Sequence, residues 1–402
     1  MSTLKLFNIG QLVTYNTPSD SIETFFDIEV MIENSQIKEI GNGLGIADEM
    51  IDCKNNLVTP GFVDSHTHPV FIDSRDDEFL RRLGGESYES IAENGGGIVK
   101  SIQGVREATE SQLIDLVKKR MDRFLKLGTT TIEAKSGYGL NMESELKSLS
   151  VLDKVQKEHA IDIVPTFMGA HSFPPNFVNR EQDYVDLICN EMIPEVAKQG
   201  IAKFNDVFCE KGYFTIDQTR QILRKGLDYG LKPRLHADEF YSTGSAELAV
   251  EIQASSADHL MAISEEGIKR MGKSNVIATL LPGTTFFLGK TEYAPYQDLY
   301  DAGINVAIAS DYNPGSCFIQ SMPFIISLAC IYLKIPLLEA IKASTYTAAK
   351  SLLLENKIGS IETGKNADII VWGFPKIEQI ASMVSHQPID IVIKNGKPLI
   401  TP

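Results

Sequence analysis

The chain has 402 residues, of which 43% are hydrophobic and 23% charged, with a net charge of −15. This is globular material long enough for a large core, and its acidic balance argues against nucleic acid or an anionic membrane surface as a partner. Five cysteines (Cys53, Cys189, Cys209, Cys317 and Cys330) form no CxxC pair and leave one over, which points to reduced thiols and not to a disulfide framework. The start, MSTLKLFNIGQ, has no signal-peptide core, and the longest apolar run, Phe324 to Leu333, is too short to span a bilayer. A cytoplasmic protein without a membrane partner is expected.

Residues 1–58 alternate in short β segments, LKLFNIGQLVTYN and FDIEVMIENSQIKEIG, without a helical period. An apolar, β-branched run then leads from Val58 into His66 and His68. In an extended strand, residues i and i+2 share a side, so both imidazoles can reach one metal ion. Beyond this point a unit repeats: helical pattern, glycine, short apolar strand. The spacing predicts a helix over Ser111 to Leu127 with Ser111 as its N-cap, Gly128 at the left-handed C′ position, and a strand over Thr129 to Ala134. The same unit precedes KFNDVFCE, KPRLHADE, NVIATLLPG and NVAIASD. With Phe62 to His66, Ile161 to Phe167 and Ala257 to His259, the strands reach the number of a (β/α)₈ TIM-like barrel, and their unbroken apolar character fits a parallel sheet. A doubly wound open sheet is the rival, weakened by the lack of GxGxxG after a first strand. After a helical stretch from Leu337 to Leu354, residues 358–402 return to short β segments. Segments 1–58 and 358–402 are expected to form one composite β-sandwich module beside a barrel over 59–357.

In such a barrel the chemistry sits at the C-terminal strand ends. His66, His68, His171, His236 and His259 all fall there, as do Glu133, Tyr138 and Asp311. His159, at a helix end, and His386, in a loop, read as ordinary surface residues. For one histidine a bland structural role is the better reading, but five at strand ends are poorly explained by coincidence. His66, His68, His236 and Asp311 make a His₃Asp set with room for a water, the open coordination a catalytic metal requires. Glu239, three residues after His236 at the barrel mouth, can handle that water's proton, although without the ligands it would read as a solvated loop charge. Gly95-Gly96-Gly97 lacks the Lys-Ser/Thr of a phosphate loop and reads as a loop near the barrel mouth, a candidate lid.

PGFVDSHTHPVF, a later HADE and ASDYNPGS together resemble the amidohydrolase superfamily. FIDSRDDEFLRRLGGESYESIAENGGGIVKSI, EAKSGYGL, PTFMGAH, HADEF, ADHL and SDYNPGSC look like segments of the imidazolonepropionase family within it, and the resemblance covers nearly the whole chain. It implies a barrel with a β module built from both chain ends. It implies hydrolysis of 4-imidazolone-5-propanoate to N-formimino-L-glutamate in histidine degradation, with one zinc or iron ion per subunit, and it admits a homodimer.

Carried over by motif, the resemblance implies metal positions at His66, His68, His236 and Asp311. Substrate positions fall at Arg75, Tyr138, His171, Glu239 and Ser316, and product contacts at Asn313 and Gly315. Arg75 can bind the propanoate bidentately, although alone it would read as a surface arginine. Tyr138 lies between two glycines in a loop that can approach a ligand closely. His171 can hydrogen-bond the ring, and His259 can steady a developing oxyanion. Two-metal members of the superfamily carry a bridging lysine on strand 4, where this chain has Cys209-Glu210, so a mononuclear site is expected. The working base is Glu239 or Asp311. Rival readings are a purine or pterin deaminase or another cyclic-amidine hydrolase on the same scaffold, and a non-catalytic, metal-free ligand-binding barrel.

Overall fold

The computed structural model describes residues 2–87, 90–91, 94–386 and 388–400. Its first strands are β1 (Thr3–Ile9), β2 (Gln11–Asn16), β3 (Ser21–Phe25), β4 (Ile28–Glu33), β5 (Gln36–Gly41), β6 (Glu49–Asp52) and β7 (Leu57–Pro60). A parallel series follows: β8 (Phe62–Asp64), β9 (Thr129–Lys135), β10 (Asp162–Ala170), β11 (Phe204–Cys209), β12 (Lys232–Ala237), β13 (Ser256–His259), β14 (Ile277–Leu280) and β15 (Val306–Ile308). Neighbours in sequence are neighbours in this sheet, from β8 through to β15. Most connections carry a helix, so the hydrophobic faces of Val117, Met121, Phe124, Leu149, Leu152 and Ile222 close over the strands.

The ring closes just past the ends of its first and last strands. Thr67 bridges Tyr312 in parallel, His68 N–H donates to Tyr312 O at 2.8 Å, and Asp311 N–H donates to His66 O at 3.0 Å. The expected barrel strands appear with small changes of extent. β8 and β15 stop two residues short of His66 and Ser310 because Ser310 N–H leaves the ladder to donate to the Asp64 carboxylate at 3.0 Å. The seam of the barrel is therefore irregular backbone, and it carries His66, His68 and Asp311.

The last strands, β16 (Ile369–Trp372), β17 (Ile389–Lys394) and β18 (Lys397–Ile400), join the first ones. One sheet has the order β18-β17-β16-β7-β2-β3 and another β5-β4-β1-β6. Val58 of β7 pairs with Val371 of β16, so the two ends of the chain share a sheet immediately before the barrel begins. Leu6, Ile32, Val58, Ile369, Val371 and Ile393 form an aliphatic core shared by the two sheets.

Two local expectations change. The helix of the first repeat runs Glu110–Lys126 and is capped by Thr109, not Ser111. Thr109 Oγ1 accepts from Gln112 N–H at 3.3 Å while Gln112 Oε1 accepts from Thr109 N–H at 2.9 Å, a reciprocal capping box that Ser111 could not make. Gly128 does take the left-handed conformation, with φ of 88°. The helical stretch after Pro336 is two helices, Leu337–Ser344 and Tyr346–Ser351, broken at Thr345, whose φ and ψ are −129° and −87°.

Candidate active site

Four side chains converge at the seam. His66 Nε2 stands 3.3 Å from His68 Nε2 and 3.2 Å from His236 Nε2, and His236 Nε2 is 3.4 Å from His68 Nε2. Asp311 Oδ1 lies 3.6 Å from His66 Nε2 and 3.5 Å from His68 Nε2. Ligands held about 2.0–2.1 Å from a tetrahedral ion are about 3.3–3.4 Å apart, which is the spacing seen. Burial first, and then nearby charged groups, hold His66, His68 and His236 well below the usual imidazole range. Three neutral rings aimed at one point cannot satisfy one another, whereas a cation satisfies them all. The donor set fits a metal ion.

The orientation of these rings comes from residues that sequence reasoning passed over. His66 Nδ1 is 2.7 Å from Asp258 Oδ2, and His236 Nδ1 is 3.0 Å from Asp206 Oδ1. A carboxylate only accepts, so each Nδ1 carries the hydrogen and each Nε2 presents its lone pair. Asp258 also accepts from Arg234 Nη2 at 3.2 Å, and Asp206 Oδ2 from Lys135 Nζ at 2.8 Å. Burial pushes Lys135 down, but the Asp206 and Glu133 charges prevail and hold it above its ordinary range. Glu133, expected at a strand end with the ligand-capable groups, instead lies within β9 beneath them. It is ion-paired to Lys135 at 2.8 Å and accepts from Thr67 N–H at 3.2 Å. The readable signal was charge inside apolar strands: Asp206 in FNDVFC, Asp258 in SADH and Lys135 in TIEAK.

Above these four side chains opens a small cleft, lined by His68, Arg75, Ile98, Tyr138, His171, Phe208, His236, Glu239, Phe240, His259, Asp311, Asn313 and Ser316. It therefore gathers most of the residues singled out from the sequence. His171 stacks on His68 with ring centroids 4.9 Å apart and donates from Nδ1 to Gly137 O at 2.9 Å. Burial lowers both His171 and His259 to about 3. His259 Nε2 is 3.6 Å from Glu239 Oε2. Burial pushes Asp311 up to about 7, against a hydrogen bond from Thr284 Oγ1 at 2.5 Å. Non-glycine residues around the cleft adopt positive φ, namely Asp238 (46°), His259 (82°), Leu260 (63°) and Asp311 (53°), a concentration of strain typical of functional sites.

Comparison with known proteins decides the family. An imidazolonepropionase of Clostridium tetani is 43% identical over 403 residues, covering 97% of this chain and 96% of its own. The chain belongs to the imidazolonepropionase family. A second member, from Geobacillus kaustophilus, is 46% identical over 352 residues, 88% of this chain and 83% of its own. The amidohydrolase family model matches residues 259–399. Among solved structures, the zinc complex of atrazine chlorohydrolase from Arthrobacter aurescens TC1 superposes with a TM-score of 0.73 at 15% identity, covering 99% of this chain and 95% of that one. At that identity the likeness concerns the fold.

In this imidazolonepropionase-family chain, each mouth loop hangs from a buried acceptor. Glu145 takes N–H bonds from Gly137, Gly139 and Leu140 at 2.8–2.9 Å, which fixes the turn carrying Tyr138. Glu210, just past the end of β11, accepts from Phe240 N–H at 2.8 Å and so braces the loop of Glu239. Asn313 is also committed. Its Nδ2 donates to Asp311 O and Ser316 Oγ at 2.7 and 2.8 Å, and its Oδ1 accepts from Gly315 and Ser316 N–H at 2.9 and 2.7 Å. Gly315 lies against the Arg75 guanidinium so closely that a Cβ there would stand 1.4 Å from Arg75 Nη2. His159, beside Asp122 at 3.1 Å, and His386 lie away from the cleft, as their sequence context suggested.

Proposed function

We propose that this chain hydrolyses 4-imidazolone-5-propanoate to N-formimino-L-glutamate, with His66, His68, His236 and Asp311 holding one zinc or iron ion. The observation that carries this reading is a His₃Asp set sharing one small cleft with the buried cation Arg75. When bound, the ion supplies Lewis acidity and a water acidic enough to attack near neutral pH. The substrate's ring needs that chemistry, and its propanoate needs a cation in a protein whose net charge is −15.

Arg75 receives the propanoate in a bidentate pair. His171, with its hydrogen committed to Gly137 O, offers Nε2 as an acceptor and so takes a ring N–H. Tyr138 packs against both His68 and His171, at 6.1 and 5.1 Å between ring centroids, and walls the ring's edge. Asp311 has one oxygen among the ligands and the other on Thr284, whereas Glu239 faces the cleft beside His259. Glu239 is therefore the base. It takes a proton as water oxygen adds to the ring carbonyl carbon, and it returns that proton to the ring nitrogen as the ring C–N bond breaks. His259 donates its ring N–H to the oxygen that gains charge. Ser316, Asn313 and Gly315 shape the wall beside Arg75.

Turnover by protein of measured metal content tests the reading. One ion per chain and release of formiminoglutamate are expected. No turnover with the ion present, or preference for a purine panel, would overturn it. Glu239→Gln should remove most of the turnover while the metal content stays at the wild-type level. Near-wild-type turnover in that variant, with loss in Asp311→Asn, would transfer the base to Asp311. A homodimer and a cytoplasmic setting complete the proposal, the latter supported by five free cysteines. Light scattering of the purified chain reads the former.

A further inference from the structure

Glu78 is fully buried, yet it lies outside the reacting groups. Its Oε2 is 3.5 Å from Arg75 Nε, and its Oε1 accepts from Gly97 N–H at 3.0 Å. The ordinary reading of a glutamate at the third position of the helix Asp76–Leu83 is a local capping box, with its carboxylate on the N–H of residue 75. That bond is absent: Arg75 N–H donates to Pro314 O at 2.9 Å, and the Glu78 carboxylate reaches the glycine-rich turn instead. A buried carboxylate needs a cation, and Arg75 is the cation within ion-pair distance of it among the described residues.

Arg75 is confined on its other side by the backbone of Gly315, where no side chain fits, and Arg82 Nη2 holds that backbone by donating to Gly315 O at 3.0 Å. Gly97, in turn, caps the helix Ile98–Glu107, whose first residue lines the cleft. We infer that Glu78 is a positioning residue for carboxylate recognition. It holds the Nε side of Arg75 so that the rest of the guanidinium faces the substrate's propanoate, and it ties that arginine to the Gly95–Gly97 turn. The inference rests on the proposed role of Arg75.

The test compares imidazolonepropanoate with 5-methyl-4-imidazolone, which keeps the ring and lacks the carboxylate. In the metal-loaded wild type, the ratio of kcat/KM values measures carboxylate preference. Glu78→Gln keeps an acceptor for Gly97 N–H and removes the charge. It should cut that preference about tenfold, as expected for a misaimed anchor, through KM for imidazolonepropanoate with kcat nearly unchanged. Glu78→Asp should recover part of it, and it reads the same ratio should the glutamine variant fail to fold. Equal losses on both compounds would make Glu78 merely structural and overturn the inference, as would a lower KM for imidazolonepropanoate. A preference lost in Arg75→Gln but kept in Glu78→Gln sinks only Glu78. A preference absent from the wild type, or kept in Arg75→Gln, sinks the anchor itself.

Discussion

The floor and the mouth of this barrel use buried carboxylates in opposite ways. On the floor, Glu133, Asp206 and Asp258 face charged or imidazole side chains: Lys135, Arg234, His66 and His236. At the mouth, Glu145 and Glu210 face backbone N–H groups of the loops that line the cleft. Strands deliver side chains at fixed intervals along hydrogen-bonded ladders, so the floor needs only charge compensation to hold a ring in place. Loops have no ladder, and each needs its own acceptor to stop moving. Apart from the Glu78–Arg75 pair at the mouth, precision comes from electrostatic pairing below the candidate metal site and from backbone clamping above it.

The floor breaks hardest. Asp206→Asn leaves Lys135 with Glu133 as its charged ion-pair partner, and the amide's one remaining oxygen cannot accept from both Lys135 and His236. Breaking one partner of a buried ion pair costs about 3–5 kcal/mol, and loss of a carboxylate behind a ligating histidine weakens metal affinity by about 10–100-fold. Both effects are expected together, read by chemical unfolding of metal-free protein and by competition with a chelator. A variant with wild-type stability and affinity would mean that the floor network is ornamental and that the ligands orient themselves.

At the mouth the expected loss is smaller. Glu145→Gln turns one acceptor oxygen into an amide N–H₂ facing Gly137 or Gly139 N–H. A buried donor left without its acceptor costs about 2 kcal/mol. Because those donors hold the turn of Tyr138, kcat/KM should fall while metal content stays at the wild-type level. Loss of metal in this variant would erase the distinction between the two regions, since clamping above would then be supporting the ligands below.

How much of this was legible in the sequence follows the same division. The barrel, the sharing of one sheet by both chain ends, and the residues that converge at the cleft all follow from hydrophobic period, strand ends and motif. Those signals are local, and strand ends are where a barrel puts its chemistry. Asp206, Asp258, Lys135 and Arg234 were not singled out, because each looks like a stray charge in its own strand and acquires meaning only when neighbouring strands pair. His236 lies opposite Phe208 and Asp258 in the ladders, a register that no single segment contains. Glu78 and Glu145 were invisible for a different reason: each sits in the first turn of a helix, where an acidic residue already has a sufficient local explanation. Thr109 displaced Ser111 as a cap because the decisive partner, Gln112, stands three residues after the threonine.

His259 lies on the border between floor and mouth, and its titration gives the finest discrimination. It ends β13 with a φ of 82°, and neither ring nitrogen has a hydrogen-bond partner among the described residues, although Glu239 Oε2 is 3.6 Å away. If it belonged to the floor, Glu239 would charge it and hold its pKa up. Burial instead lowers it to about 3. In the unfolded chain a histidine titrates near 6.5, so below that pH the unfolded state takes up a proton that the folded state refuses. The stability owed to the neutral ring is fully present above about pH 6.5 and is lost as pH falls toward 3, at up to about 1.4 kcal/mol per pH unit. Other groups titrate in the same window, so the measurement is a difference. Metal-free wild type and His259→Gln are unfolded in urea at pH 7, 6 and 5, and the wild type's advantage should shrink at each step down. An advantage that holds or grows on acidification would mean that Glu239 and His259 form a charged pair, and that the ion-paired floor extends up to the proposed base.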